Sequence, residues 1–129
     1  MNKNVNALNW FEIPASDINR AKSFYEGIFD IQMDPIMDMM GMQMTFFPAE
    51  NGNGKVSGGL AQSQMHAPSQ DGTVVYLNAN ESGMDNVLSR VEGNGGQVVM
   101  PKTQISPEIG YMAFFIDSEG NKIGLHSQN

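Results

Sequence analysis

Apolar and polar residues alternate from Ala7 to Ile13. This places Trp10 and Glu12 on one face of a strand and Phe11 and Ile13 on the other. Pro14 has no backbone N–H to offer a ladder, so the strand is expected to stop there. The period then changes. Ser16 or Asp17 can cap a helix, and Ile18, Ala21, Phe24, Tyr25 and Ile28 recur at helical spacing with Arg20 and Lys22 on the outer face. The spacing predicts a helix over 18–29. Short strands follow between Asp30 and Ala49, broken at Pro35 and Gly41, with Met42, Met44 and Phe46 sharing one face. Asn51-Gly52-Asn53-Gly54 reads as a turn, Val56 to Ala61 as a short strand, and the polar stretch 62–72 as a linker.

After the linker the same order of elements restarts. Thr73 to Asn78 reads as a strand, and Ser82 to Glu92 as a helix with Met84, Val87, Leu88 and Val91 facing inward. Gly93, Gly95 and Gly96 supply its stop. Gln97 to Met100 reads as a strand ended by Pro101, Tyr111 to Ile116 as another, 117–121 as a turn, and Lys122 to His126 as the last strand. Strand, helix and three strands are thus written twice. The expected architecture is a single α+β domain, with module one about 5–61, a linker about 62–72 and module two about 73–127.

Bulk chemistry narrows the functions available. The 129 residues suit one domain with a modest core. A formal charge of −7 with no basic stripe disfavours nucleic acid and anionic membrane surfaces as partners. There are no cysteines, which removes disulfides, thiolate nucleophiles and cysteine-sulfur metal sites together and is compatible with a cytoplasmic location. The first residues lack the apolar core of a signal peptide, and no apolar run approaches a membrane span. The serines lie outside any nucleophile elbow, the glycine pairs do not match a phosphate loop, and 117–121 is too short for an EF-hand.

Phe11-Glu12-Ile13-Pro14, Asp17, Arg20-Ala21 and Phe24-Tyr25 resemble the opening of a vicinal-oxygen-chelate protein of the glyoxalase and bleomycin-resistance type. Gly95-Gly96, Pro101-Lys102 and Asp117-Ser118-Glu119-Gly120-Asn121-Lys122-Ile123-Gly124-Leu125 resemble that family's second half and closing hairpin. The resemblance covers nearly the whole chain. It implies two βαβββ modules forming a cup-shaped mixed sheet, a homodimer, and a divalent ion held in the cup by His, Gln or Glu side chains. Carried over by position, the metal ligands fall on Trp10, on Val74 (or Thr73 if the register slips by one) and on Gly124, with a fourth position near Val56 to Ala61 that offers neither His nor carboxylate. The expectation is therefore no bound cofactor, a divalent metal being disfavoured.

Glu12, sharing a face with Trp10, is a candidate acid or base, because a carboxylate against an indole can have a perturbed pKa. His126 shares a face with Gly124 and is the second candidate catalytic residue. Trp10, Tyr76, Met42 and Met44 are candidate ligand contacts, Tyr111 a lesser one; His66, in the linker, reads as a surface residue. Met33, Met37, Met39, Met40, Met42 and Met44 crowd one segment, and flexible, polarizable thioethers suit either a soft ligand wall or a subunit contact. The leading expectation is a metal-free protein binding a small, partly apolar molecule, or an atypical enzyme. A metal-dependent lyase, isomerase or dioxygenase with a rebuilt ligand set, with Glu12 and His126 among its donors, is the alternative. A resistance protein sequestering a cationic drug is the third.

Overall fold

The computed structural model describes residues 1–50 and 52–129. Its strands and helices run β1 (Trp10–Pro14), α1 (Ile18–Phe29), β2 (Met37–Met39), β3 (Met42–Phe46), β4 (Ser57–Gln62), β5 (Tyr76–Asn78), α2 (Met84–Val91), β6 (Gln97–Ser106), β7 (Gly110–Ile116) and β8 (Lys122–Ser127). They form two four-stranded mixed sheets, β1-β4-β3-β2 and β5-β8-β7-β6. In each, the first strand of the module pairs parallel with the last, and the remaining pairs are antiparallel. The two βαβββ modules are thus present, in an α+β fold.

The registers superimpose the modules residue by residue. The Ala15 N–H donates to the Ala61 carbonyl just as the Ala79 N–H donates to that of His126, both at 2.9 Å. Glu12 lies opposite Gly59 on β4, and Phe46 of β3 lies on the other side of that glycine. Tyr76 lies opposite Gly124 on β8, flanked in the same way by Phe114 of β7. Counting from these anchors, Trp10 corresponds to Val74, Glu12 to Tyr76, Gly59 to Gly124 and Ala61 to His126.

Period-two geometry gives each sheet one buried and one open face. Ile13 and Leu60 of the first sheet, and Leu77, Ala113, Phe115, Ile123 and Leu125 of the second, join the helices in one shared core. Helix α1 contributes Ile18, Ala21, Phe24, Tyr25 and Ile28, all at most 1% exposed. The Asp17 carboxylate caps it by accepting from the Asn19 and Arg20 N–H groups at 3.1 Å. Asp30 ends it in a left-handed conformation at φ 53°. Helix α2 buries Met84, Val87 and Val91 and tightens into a 3₁₀ turn at Glu92–Asn94.

Several boundaries differ from the sequence expectation. β1 starts at Trp10 rather than Ala7 and includes Pro14, which sits at the strand's end opposite Ala61. β5 is confined to 76–78, not 73–78. β6 does not stop at Pro101: it continues to Ser106, with a register shift between Met100 and Thr103 that relieves the proline of a ladder hydrogen bond. Asn51, the first residue of the expected Asn-Gly turn, lies outside the described residues. None of the described helices is long and apolar enough to cross a membrane.

The turn before β8 fastens module two to module one. Glu119 accepts from the Ser16 and Asp17 N–H groups at 2.9 and 2.7 Å and pairs with the Arg20 guanidinium at 2.6 and 3.0 Å. Burial pushes the Glu119 carboxyl up. The Arg20 guanidinium, the Asp17 N–H and the Ser118 hydroxyl outweigh that and hold it below the usual carboxylate range. A carboxyl whose pKa falls on folding stabilises the fold when ionised. Its contribution is complete above the unfolded value of about 4.3 and disappears as pH falls through the folded value. Glu119→Gln is expected to cost about 1–2 kcal/mol at pH 7, discounted because Arg20 is half exposed. That difference should shrink as pH is lowered below the ordinary carboxylate range, as a series of urea unfolding curves from neutral to acid pH will show.

Candidate functional site

The open face of the first sheet carries Trp10 and Glu12 from β1, Gly59 and Ala61 from β4, and Met42, Met44 and Phe46 from β3. The Trp10 and Phe46 rings meet edge to face at 5.5 Å. Phe46 leans over Gly59, so closely that a Cβ there would lie 2.9 Å from its ring and 2.5 Å from the Thr45 carbonyl oxygen. Trp10 remains 43% exposed. The result is an aromatic step on a flat glycine floor, bordered by methionines.

The polar end of this face is a chain of hydrogen bonds. The Trp10 indole N–H donates to Glu12 Oε2 at 3.3 Å, and Glu12 Oε1 is paired with His66 Nε2 at 2.8 Å. His66 Nδ1 lies 2.7 Å from Ser63 Oγ, which also accepts from the Met65 N–H. With Ser63 donating to Nδ1, Nε2 carries the imidazole proton and donates to Glu12. His66 is therefore not the free surface residue expected of the linker: its side chain is 14% exposed and folds back onto β1. Carboxylate, imidazole and hydroxyl in series can accept, store or pass a proton at the edge of an aromatic surface.

The second sheet repeats the aromatic step. Tyr76 packs against Phe114 at 5.6 Å and lies over Gly124, where a Cβ would meet the tyrosine ring at 2.6 Å. Tyr76 is 48% exposed. His126 shares this open face, opposite Met112, and its Nε2 is 2.7 Å from the Ile109 carbonyl oxygen. The structure therefore unites Trp10, Glu12, Met42 and Met44 on one sheet and Tyr76 and His126 on the other. Glu12 is joined to His66 and not to His126. Tyr111 is on the core side of β7, with the Lys102 ammonium 4.6 Å from its ring centre. An apolar cavity of about 480 Å³ lies along the seam between the modules, lined by residues that include Phe11, Phe29, Phe47, Val75 and Tyr76.

The internal repeat also fixes the fourth position that the family resemblance left open. If Gly124 stands where the last strand supplies a ligand, its counterpart on β4 is Gly59. The four positions are then Trp10, Gly59, Val74 and Gly124. An indole N–H, an isopropyl group and two hydrogens supply no lone pair, so these residues do not fit a divalent ion. Among the described residues no group of three or more His, Asp or Glu is arranged to hold a metal.

Comparison with known proteins gives a consistent picture. The model of the Glyoxalase/Bleomycin resistance protein/Dioxygenase superfamily matches residues 7–125. The provisionally named glyoxylase CFP32 of Mycobacterium tuberculosis (strain CDC 1551 / Oshkosh) is 28% identical over 123 residues, which is 94% of this chain and 45% of that protein. The chain thus spans less than half the length of this relative. Among solved structures, a glyoxylase/bleomycin resistance protein/dioxygenase domain from Frankia sp. EAN1pec superimposes with a TM-score of 0.70 at 12% identity, covering 95% of this chain and 97% of that one. A glyoxalase/bleomycin resistance protein from Albidiferax ferrireducens T118 gives 0.67 at 18%, covering 94% and 98%. A mutant of the fosfomycin resistance protein FosX from Listeria monocytogenes, complexed with Mn(II) and 1S,2S-dihydroxypropylphosphonic acid, gives 0.64 at 14%, covering 95% and 92%.

Proposed function

This chain belongs to the Glyoxalase/Bleomycin resistance protein/Dioxygenase superfamily, and on that premise we propose that it binds a small, partly aromatic molecule on the open face of its first sheet, without the superfamily's metal. The observation that carries this reading is the Trp10–Phe46 step beside the Glu12–His66 pair. It offers a planar apolar surface next to a directional polar group, the combination that orients small ligands. The Mn(II) in the FosX complex belongs to that protein. Here the corresponding positions lack donors, and ligand affinity comes instead from stacking on Trp10 and hydrogen bonding to Glu12. A second copy of the chain, joined as a homodimer, would shield the Trp10–Phe46 step from water.

A reaction on the bound molecule would use Glu12 and His66 as the acid–base pair. Glu12 faces the aromatic step and exchanges the proton with the ligand, while His66, donating Nε2–H to it and accepting from Ser63, holds the carboxylate and can return a proton to it. This is the atypical-enzyme form of the same reading, and it needs no electron transfer or metal-bound oxygen.

Trp10 is the only tryptophan, so its emission reports directly on this face. Titration with benzyl alcohol or benzamide, two neutral aromatic probes that do not absorb where tryptophan alone is excited, is expected to change that emission saturably, and a strong chelator should leave the curve unaltered. Phe46→Ala is expected to weaken binding about tenfold, the loss of one aromatic contact. Native mass spectrometry of the same samples should show a dimer carrying probe and no metal ion. Binding that appears only after a divalent ion is added would overturn the metal-free reading. Saturable binding that leaves Trp10 emission unchanged would move the site to the cavity along the module seam.

A further inference from the structure

Four methionines are gathered on one face of the β2–β3 hairpin. The segment reads Met37-Asp38-Met39-Met40-Gly41-Met42-Gln43-Met44, two Met-x-Met pairs about a tight turn. The antiparallel register sets Met37 opposite Met44 and Met39 opposite Met42. Residues two apart on a strand share a face, as do direct cross-strand partners, so all four thioethers lie on one side. Partner Cβ atoms are about 4.5–5.5 Å apart. A methionine side chain has three rotatable bonds, enough for sulfurs on such a grid to converge on a common point.

Packing does not account for this arrangement. Met44 is 4% exposed but lies outside the hydrophobic core cluster, and Met37 and Met39 are 45% and 41% exposed. Apolar residues placed open to water on an outer strand gain little from burial there. Thioether sulfur is also a poor hydrogen-bond acceptor and no base. It does have one strong chemical preference: soft, polarizable sulfur ligates soft monovalent ions, Cu(I) above all, and binds hard divalent ions poorly. The hairpin itself offers no hard donor on this side, and the Glu12 carboxylate stands two strands away on β1, paired with His66. The Asp38 carboxylate lies on the opposite side of the hairpin and accepts from the Gly41 N–H at 3.2 Å.

We propose that the β2–β3 hairpin is a Cu(I) site built from the thioethers of Met37, Met39, Met42 and Met44. Met37 and Met39 are open to solvent and receive the ion, while the more deeply set Met42 and Met44 complete its coordination. The ion enters without opening the core, and a net charge of −7 draws cations toward the surface. The site lies on the outer strands of the sheet. It does not depend on the organic-ligand reading, because Cu(I) binding can be measured with no aromatic probe present.

The test is anaerobic titration of the whole protein with Cu(I) against bathocuproine disulfonate, followed by the absorbance of the dye–copper complex. Ag(I) in chloride-free buffer serves as a redox-inert surrogate for native mass spectrometry. One ion per chain is expected. With ¹³C-methyl-methionine labelling, Ag(I) should move the methyl signals of Met37, Met39, Met42 and Met44 and leave that of Met65 in place. Joint Met39→Leu and Met42→Leu substitution keeps side-chain volume and is expected to weaken retention of Cu(I) about a hundredfold, since two donors are lost. Should that variant fail to fold, Met37→Leu and Met39→Leu singly, at exposed positions, carry the same test. Complete loss of copper to the dye from the wild-type protein would overturn the proposal. So would leucine variants that bind Cu(I) as tightly as the parent, or signal changes confined to methionines outside the hairpin.

Discussion

Asp117→Ala is expected to lower the folding free energy by about 3–5 kcal/mol, because four internal hydrogen bonds lose their acceptor at once. Asp117 is 3% exposed and all its partners are internal. Its carboxylate accepts from the Tyr25 hydroxyl at 2.7 Å, from the Glu119 and Asn121 N–H groups at 2.9 Å, and from the Asn121 side-chain amide at 3.0 Å. Alanine would leave the buried Tyr25 hydroxyl and Asn121 donors without their acceptor, at about 1–3 kcal/mol for each that finds no substitute. Tyr25 is the most exacting of them, being fully buried beneath Phe24, Phe47 and Phe115. Burial, with the Asp117 charge beside it, pushes its phenol well above the ordinary tyrosine value, so it stays a neutral donor.

Tyr25→Phe isolates one bond of the network and should cost only about 1–2 kcal/mol, because the hydroxyl leaves together with its need for a partner. Equilibrium urea unfolding of the two variants at pH 7 measures both numbers. Equal losses would mean that the carboxylate does little beyond serving Tyr25. The network matters for the site because Asn121 also donates to the Pro14 carbonyl at 2.7 Å, two residues along β1 from Glu12. Its side-chain oxygen accepts from the Ser69 N–H at 3.0 Å, which pins the segment that carries His66. Weakening this node should therefore loosen the Glu12–His66 pair as well as the fold.

Interactions between close neighbours in sequence are legible in the chain, and those between distant segments are not. Helix α1 is readable to both ends because its signals are local: an Asp17 cap and an apolar residue at each inward position. The shared face of Trp10 and Glu12 follows from strand alternation alone, and the structure adds the hydrogen bond between them. The two modules are visible in the order of elements, although their residue-level equivalence needs the β1–β4 and β5–β8 registers. The role of His66 escapes the sequence because its contact with Glu12 spans 54 residues. The only local trace is the turn in which the His66 N–H donates to the Ser63 carbonyl. Phe46 and Phe114 stand out as strand residues, but nothing in the sequence shows that each sits beside a glycine in the neighbouring strand. Pro101 misleads because a proline ends a regular ladder, whereas β6 passes it at an irregularity.

The two glycines at the equivalent positions of β4 and β8 are expected to respond unequally to a side chain, and Gly59→Ala should be the costlier change by about 2 kcal/mol. Both look alike in sequence, and both have a Cβ position within 3 Å of a neighbour. The obstacles differ in kind. At Gly59 the nearest atom is the Thr45 carbonyl oxygen, at 2.5 Å, part of the backbone of a strand bonded to β4. That oxygen cannot retreat without breaking the ladder, so Gly59→Ala should cost about 3 kcal/mol, the upper end of what overpacking exacts. At Gly124 the obstacle is the ring of Tyr76, which is 48% exposed and can swing outward, so Gly124→Ala should cost only about 1 kcal/mol. Combining it with Tyr76→Ala should remove the clash, and the resulting non-additivity in a double-mutant cycle isolates it. Thermal and urea unfolding of the four variants supply the values. Equal penalties at the two glycines would show that the β4 backbone yields as readily as a tyrosine ring. With the expected inequality, a side chain could be introduced on β8 at modest cost but not on β4, where backbone occupies the space that it would need.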